Sequence, residues 1–232
     1  IRAGRARVGV RKLLQVAGKD CRYLTSSDFG FALGPRLNAA GRLDDMSLGI
    51  ALLLTESEDL AHELAMQLDD FNRDRREIEW QMQQEAVQLL DAQISQLTVL
   101  PKGVCLFHPE WHQGVVGLVA SRTKERLHRP VIAFAKADNG ELKGSGRSIT
   151  GVHLRDVLDA VATRNQGLLT RFGGHAMAAG LTLPEANFDA FSKAFDAELQ
   201  TLNGRLFEPE IETDGEVEAG AFTLAVAQQL RD

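Results

Sequence analysis

From Ser57 to Leu97 the apolar residues Leu60, Leu64, Leu68, Phe71, Ile78, Met82, Leu89 and Leu97 recur close to every 3.6 positions, with charged residues between them. Neither Gly nor Pro interrupts the run. The spacing predicts one amphipathic helix of about 40 residues, about 60 Å long, which exceeds the usual globular helix and suits a connector between two parts of a protein. A coiled coil is the competing expectation, weakened because the heptad is not kept. Upstream, residues 1–30 read as loop and short helix, "SSDFGFALGPRLNAAGRLDD" as loop or broken helix for its glycines and Pro35, and "MSLGIALLL" as a short buried helix.

Past Pro101 the pattern changes. "GVCLFH" and "RPVIAFA" read as buried strands, and "HQGVVGLVASRTKERL" between them as a helix. Asp138-Asn139-Gly140 predicts a turn leading into the strand "ELKGSGRS", so that strand, turn and strand make a hairpin. "HLRDVLDAVATR" follows as a helix, "AMAAGLTL" as a strand and "NFDAFSKAFDAELQTL" as an amphipathic helix. Strands alternating with helices predict an α/β fold with a mixed sheet covered by helices, preceded by a helical segment and the long connector. The tail "IETDGEVE…FTLAVAQQLRD" reads as a strand and then a helix.

Composition places the chain among ordinary globular proteins and excludes some classes. Its two cysteines, Cys21 and Cys105, are far apart and make no disulfide framework or CxxC metal site, so a reducing cytoplasm is the expected location. The longest apolar run, Leu48 to Leu54, is too short to span a bilayer, and no secretory signal is visible. The chain opens at Ile1 and stops at Asp232, which predicts a segment of something longer. The net charge of −6 conceals four blocks: +7 over residues 1–42, −10 over 43–100, +5 over 101–183 and −8 over 184–232. The basic blocks also hold the glycine-rich stretches, which fits a cationic working face on an acidic body; a solvated mixed surface is the plain alternative.

Four stretches carry the candidate chemistry. In "KGSGRS", Lys143, Ser145, Arg147 and Ser148 are all donors, and Gly144 and Gly146 let backbone come close, a set suited to phosphate. In "HPEWHQGVVGLVASR" a helix beginning near His112 or Gln113 would place His112 at an N-terminus that favours an anion, with Arg122 about two turns on. Pro109 argues against reading His108 and His112 as a metal pair, and Trp111 reads as core before it reads as a base-stacking platform. In "FGGHAMAAG", Gly173 and Gly174 precede His175, and the small residues after it leave room for a ligand. In "GPRLNAAGRLDD", Arg36, Asn38 and Arg42 stand among small residues, while Asp44 and Asp45 suit helix capping better than metal binding. No carboxylate or histidine cluster of the kind that two-metal hydrolysis needs is present, and the pair Asp69-Asp70 is expected to be solvated. The chain is equipped to hold a phosphate backbone rather than to cut it.

In this order and spacing, "GPRLNAAGRLDD", "HPEWHQGVVGLVASR", "GSGRS" and "GGHAMAAG" closely resemble the RecJ family, single-stranded-DNA-specific exonucleases of the DHH phosphoesterase superfamily. The resemblance implies an N-terminal DHH domain binding Mn²⁺ or Mg²⁺, a long linking helix, a DHH-associated domain that clamps nucleic acid, and an OB-fold. The metal motifs are absent here, so the expected division is a DHH remnant (1–56), the connector (57–98), the DHH-associated domain (99–206) and the start of a truncated OB-fold (207–232). The resemblance further implies Arg36, Asn38, Arg42, His112, Arg122, Ser145, Arg147, Ser148, Gly173, Gly174 and His175 as contacts to single-stranded DNA, and Lys143 and Gly146 join them from the phosphate reading of "KGSGRS". His175 would also support catalysis, and no metal ligand falls in this segment. A small-substrate phosphoesterase of the same superfamily, cleaving oligonucleotides or cyclic dinucleotides, and a non-enzymatic scaffold are the rival expectations; no membrane partner is expected.

Overall fold

The structure, a computed structural model, describes residues 1–3, 5–94 and 100–231. Its first layer is helical. α1 (Val8–Val16), α3 (Gly34–Leu43) and α4 (Ser47–Leu54) all pack on the first half of α5 (Glu58–Ile94). Between α1 and α3, Ser26–Asp28 makes one helical turn, α2, capped by Thr25. A π-helical stretch, Phe29–Leu33, then runs straight into α3. Of loop and broken helix, the two expectations for this stretch, the second is the outcome: Pro35 lies in the first turn of α3, where no N–H is needed, and the wider π turn precedes it. α4 is less buried than its apolar sequence predicts. Leu52 is fully enclosed, but Ile50 and Leu54 face solvent.

α5 shows why the long helical period is unbroken. Its first half buries Leu64, Ala65 and Leu68 against Leu13, Leu14, Leu33 and Leu52. Its second half buries Met82, Ala86 and Leu90 against Leu106, Trp111, Val116 and Val119. One rod of 37 residues therefore belongs to two hydrophobic cores, and burial at both ends makes so long a helix stable. The last predicted residues of this helix, up to 98, lie beyond Ile94 and outside the described residues.

The second layer is a five-stranded mixed sheet in the order β1 (Val104–Phe107), β2 (Val131–Lys136), β3 (Glu141–Arg147), β5 (Ala178–Pro184) and β4 (Arg171–Gly174). β1 and β2 are parallel, joined by α6 (Val116–Leu127), as a crossover requires. The other pairs are antiparallel. The predicted turn between β2 and β3 forms with Asn139 and Gly140 at positive φ. β4 is not among the strands expected from the sequence, yet "RFGG" pairs with β5 along its length.

Residues two apart along a strand share a face. On one face Ile132, Phe134, Leu142, Leu181 and Leu183 meet α7 (Leu154–Arg164) and α8 (Phe188–Gln200) in the main core. Phe134 meets the Phe191 ring edge-on with centroids 5.8 Å apart. Cys105 is buried here, and desolvation pushes its thiol up to about 12, so it stays a neutral packing group. On the other face α6 and α5 cover the β1–β2 half. The tail departs from expectation. Glu208 to Glu218 forms no strand, and six acids alternate along this exposed stretch, where mutual repulsion opposes pairing. Only the helix is kept, as α9 (Leu224–Arg231); Asp232 lies outside the described residues.

Candidate nucleic-acid interface

The uncovered half of the second face is a shallow trough built by strand register. Lys143 pairs with Thr182, which pairs with Arg171. Ser145 pairs with Gly180, which pairs with Gly173. Arg147 pairs with Ala178, whose carbonyl accepts from the His175 amide at 2.8 Å. These three rows lie about 7 Å apart, two residues along each strand. The middle row has almost no side chains. A Cβ on Gly173 would meet nothing within 4 Å, and one on Gly180 only a carbonyl at 3.9 Å, so the floor lies open to a ligand backbone. Gly174 is a glycine for a different reason: its φ of 146° is one that side-chain-bearing residues avoid, and a Cβ would lie 2.5 Å from the Ala178 carbonyl.

The cations on this face share one property. Arg147 donates through Nη1 to the Ser145 hydroxyl at 3.1 Å and the Gly146 carbonyl at 2.8 Å. Arg42 donates to the Gly114 carbonyl at 3.0 Å, Lys143 to the Gln113 amide oxygen at 3.0 Å, and Arg171 to the Thr182 hydroxyl at 3.2 Å. Among the described residues none of the four has a carboxylate partner, whereas Arg36, Arg73, Arg75, Arg122 and Arg164 all do. Burial, and then the nearby Arg42 charge, lower the Arg147 pKa, although a guanidinium remains charged. A desolvated cation held by neutral groups beside a second cation is favoured by an incoming anion. At the far end Glu141 is engaged by the Thr170 hydroxyl at 3.0 Å.

α6 closes the near side. It begins at Val116 rather than at His112 or Gln113, because residues 113–115 form a turn first. The His112 carbonyl accepts from the Val115 and Val116 amides, and its Nδ1 accepts from Gly114 at 3.1 Å. An accepting Nδ1 leaves the ring proton on Nε2, a donor on an exposed side chain. Two glycines bring this turn close. A Cβ on Gly114 would lie 2.0 Å from the Arg42 carbonyl, and one on Gly117 would lie 2.9 Å from both the Arg147 Nη2 and the Ser145 hydroxyl. Gly114 thus docks α3 onto the sheet domain, and Gly117 makes room for the donor pair.

The predicted site residues separate into groups. Lys143, Ser145, Arg147 and Gly173 lie on the trough face of the sheet, His175 follows at its Arg147 end after the turn that Gly174 shapes, and Arg42 and His112 meet at Gly114 in the turn before α6. Asn38 lies on α3, with no side-chain hydrogen bond among the described residues. Four others have different surroundings. Gly146 and its neighbour Gly144 point into the main core, where a Cβ would lie 2.7 Å from Leu154 and 2.5 Å from the Phe134 ring respectively; they are glycines for packing rather than for ligand approach. Ser148 is 1% exposed and donates to the Val152 carbonyl at 2.8 Å, so it stabilises a turn instead of facing the trough. Arg36 is bound to Asp69 at 2.7 Å and to the Ala32 carbonyl at 2.8 Å, tying α3 to α5; of the pair expected to be solvated, Asp69 is thus ion-paired and partly buried, while Asp70 is exposed. Arg122 faces α5, 3.8 Å from Glu79, and lines a groove outside the trough.

Ser148→Ala should therefore cost about 1 kcal/mol of stability, measured by urea unfolding, and leave polyanion affinity unchanged. A fall in affinity at unchanged stability would return Ser148 to the ligand-facing set.

The sequence reading missed Gly117, Gln113, Thr182 and Arg171. The last was recoverable: two residues before Gly173, it shares that residue's face once "RFGG" is read as a strand. Trp111 is core, 3% exposed, with its indole N–H on Glu85 at 2.7 Å. Asp45 caps α4 through the Ser47 amide at 2.9 Å. Among the described residues no group of three or more His, Cys, Asp or Glu could hold a metal ion, so this donor set does not fit a resident metal. Among them also, no helix is long and apolar enough to cross a membrane.

Comparison with known proteins gives consistent results. Residues 83–201 match the DHHA1 domain family. Over 234 aligned residues and its whole length the chain is 54% identical to the single-stranded-DNA-specific exonuclease RecJ of Escherichia coli, of which it spans 40%. It is 34% identical to the Bacillus subtilis protein of the same name, over 90% of this chain and 26% of that one. Among solved structures it resembles RecJ in complex with Mg²⁺ from Thermus thermophilus, with a TM-score of 0.71 and 31% identity over 84% of this chain and 29% of that one. The chain thus spans less than half the length of the relatives it matches.

Proposed function

The chain belongs to the DHHA1 domain family and is RecJ-like from end to end, and from that premise we propose that it is the strand-holding portion of a single-stranded-DNA-specific exonuclease. The observation that carries this reading is the set of cations without a carboxylate partner among the described residues: Lys143, Arg147 and Arg171 beside a floor made of Gly173 and Gly180, with Arg42 at the turn before α6. A sugar-phosphate backbone can lie on the bare middle row. Arg147 and Ser145, with Lys143 and Arg171 one row on, then donate to successive phosphates. His175 at the Arg147 end and the Nε2 of His112 beside the α6 turn supply further donors with which a phosphodiester could be fixed for attack.

Divalent metals would act in the longer protein through residues outside this chain, as the resemblance implies for Mn²⁺ or Mg²⁺. The two lone cysteines support a cytoplasmic location, and the resemblance a longer protein whose DHH and OB domains complete the clamp. The open trough suits a long strand better than a dinucleotide, for which an enclosed pocket would serve.

Anisotropy titration of labelled oligothymidylate should give weak binding that falls steeply with salt, by about tenfold or more between about 50 and about 200 mM, because each phosphate contact releases counterions. No digestion should occur with Mn²⁺. Salt-independent affinity would overturn the reading, as would metal-dependent digestion by this chain alone.

A further inference from the structure

The groove that receives Arg122 lies between α5 and α6, has a volume of about 570 Å³, and is lined by Arg75, Arg76, Glu79 and Trp80 of α5, by Pro35 of α3, and by Leu118 and Arg122 of α6. Trp80 is 62% exposed, in contrast to the buried Trp111. Arg76 and Trp80 are four residues apart on a helix and present one surface. Among the described residues Arg76 has no carboxylate partner, while Arg122 reaches Glu79 and Glu125 only at 3.8 and 3.5 Å. Arg75 uses Nη1 on Glu79 and Nη2 on Asn72, and its buried Nε has no acceptor. An exposed flat ring beside Arg76, which has no carboxylate partner among the described residues, and Arg122, whose ion pairs are long, is chemistry that recognises a nucleotide, by stacking on the base and pairing with the phosphate, while Arg75 is committed to Glu79.

The groove and the trough share one element. α3 carries Pro35, which lines the groove, and Arg42, which donates to the Gly114 carbonyl in the turn before α6. One helix therefore borders the groove at one end and brings a cation to the α6 turn at the other.

We propose that the Trp80 groove is a second single-strand subsite, where one base stacks on the Trp80 indole and its phosphate is held by Arg76 and Arg122, capturing a strand that leaves the trough past Arg42. The proposal rests on the single-strand reading of the trough. It extends that reading to the α5 face carrying Arg76 and Trp80, which none of the RecJ-like motifs covers, and gives Arg122, the last residue of "HPEWHQGVVGLVASR", a place in this groove rather than in the trough.

The test compares oligothymidylates of about four and about twelve nucleotides, which bracket the span of one small binding domain. Trp80→Ala should weaken the longer oligonucleotide about tenfold and leave the shorter one unchanged, while Trp80→Phe retains most of the affinity because stacking tolerates any aromatic ring. With 5-bromouracil along the longer strand, photocrosslinks should map to the peptide carrying Trp80. An unchanged affinity for the longer strand overturns the subsite, as does an equal loss on both lengths, which would mark a structural role for the ring. Arg147→Ala on the shorter strand separates the two claims, since no effect there would defeat the trough reading whatever Trp80 does.

Discussion

Arg147→Ala is expected to weaken single-stranded DNA binding about 10- to 100-fold, the effect of losing about 1.5–3 kcal/mol of charge-assisted hydrogen bonding. The size follows from its surroundings. Arg147 is partly desolvated, lies near Arg42, and is held only by a hydroxyl and a carbonyl, so much of its hydrogen-bonding capacity awaits an anion. Arg147→Lys should restore little, because an ammonium cannot make two parallel bonds to a phosphate. The slope of log affinity against log salt should fall by about one contact. Arg36→Ala is the internal control: with its guanidinium on Asp69 and Ala32, it should lower stability and spare affinity. Equal effects of the two substitutions on binding at matched stability would mean that the trough is not the contact surface.

Gly114→Ala should produce the largest structural loss of any single methyl group at this site. The added Cβ would lie 2.0 Å from the Arg42 carbonyl, which is backbone and cannot swing aside. Either α3 or the turn before α6 must shift, at about 2 kcal/mol or more, lowering the Tm by about 4–8 °C. The same shift would break the Arg42–Gly114 bond and move Arg42 away from Arg147. Affinity should therefore fall even at temperatures where the variant is fully folded. Calorimetry and a binding isotherm on the same preparation measure both. A variant with wild-type Tm would mean that the α3–α6 contact is not tight in solution.

Much of this molecule follows from local pattern alone. The 3.6-residue period of α5, the alternation in β3 and β5, and the turn at Asp138–Gly140 each arise from a repeat or a backbone preference carried by adjacent residues. The trough donors Lys143, Ser145 and Arg147 were readable for the same reason, since a strand places every second residue on one face. The purpose of the glycines was not readable. Gly144 and Gly146 lie in the same motif as the donors, yet they accommodate Phe134 and Leu154, residues from other elements. Gly114 and Gly117 admit an α3 carbonyl and the tip of Arg147, contacts with partners far away in the sequence. Which cations stay free was likewise undetermined, because Arg36 and Arg147 are the same residue in similar glycine-rich settings. The approach of Asp69 on α5 neutralises one, and among the described residues no such acid reaches the other. Period and chirality act between neighbours and are written along the chain; steric fit and charge pairing act across space and are settled when distant elements meet.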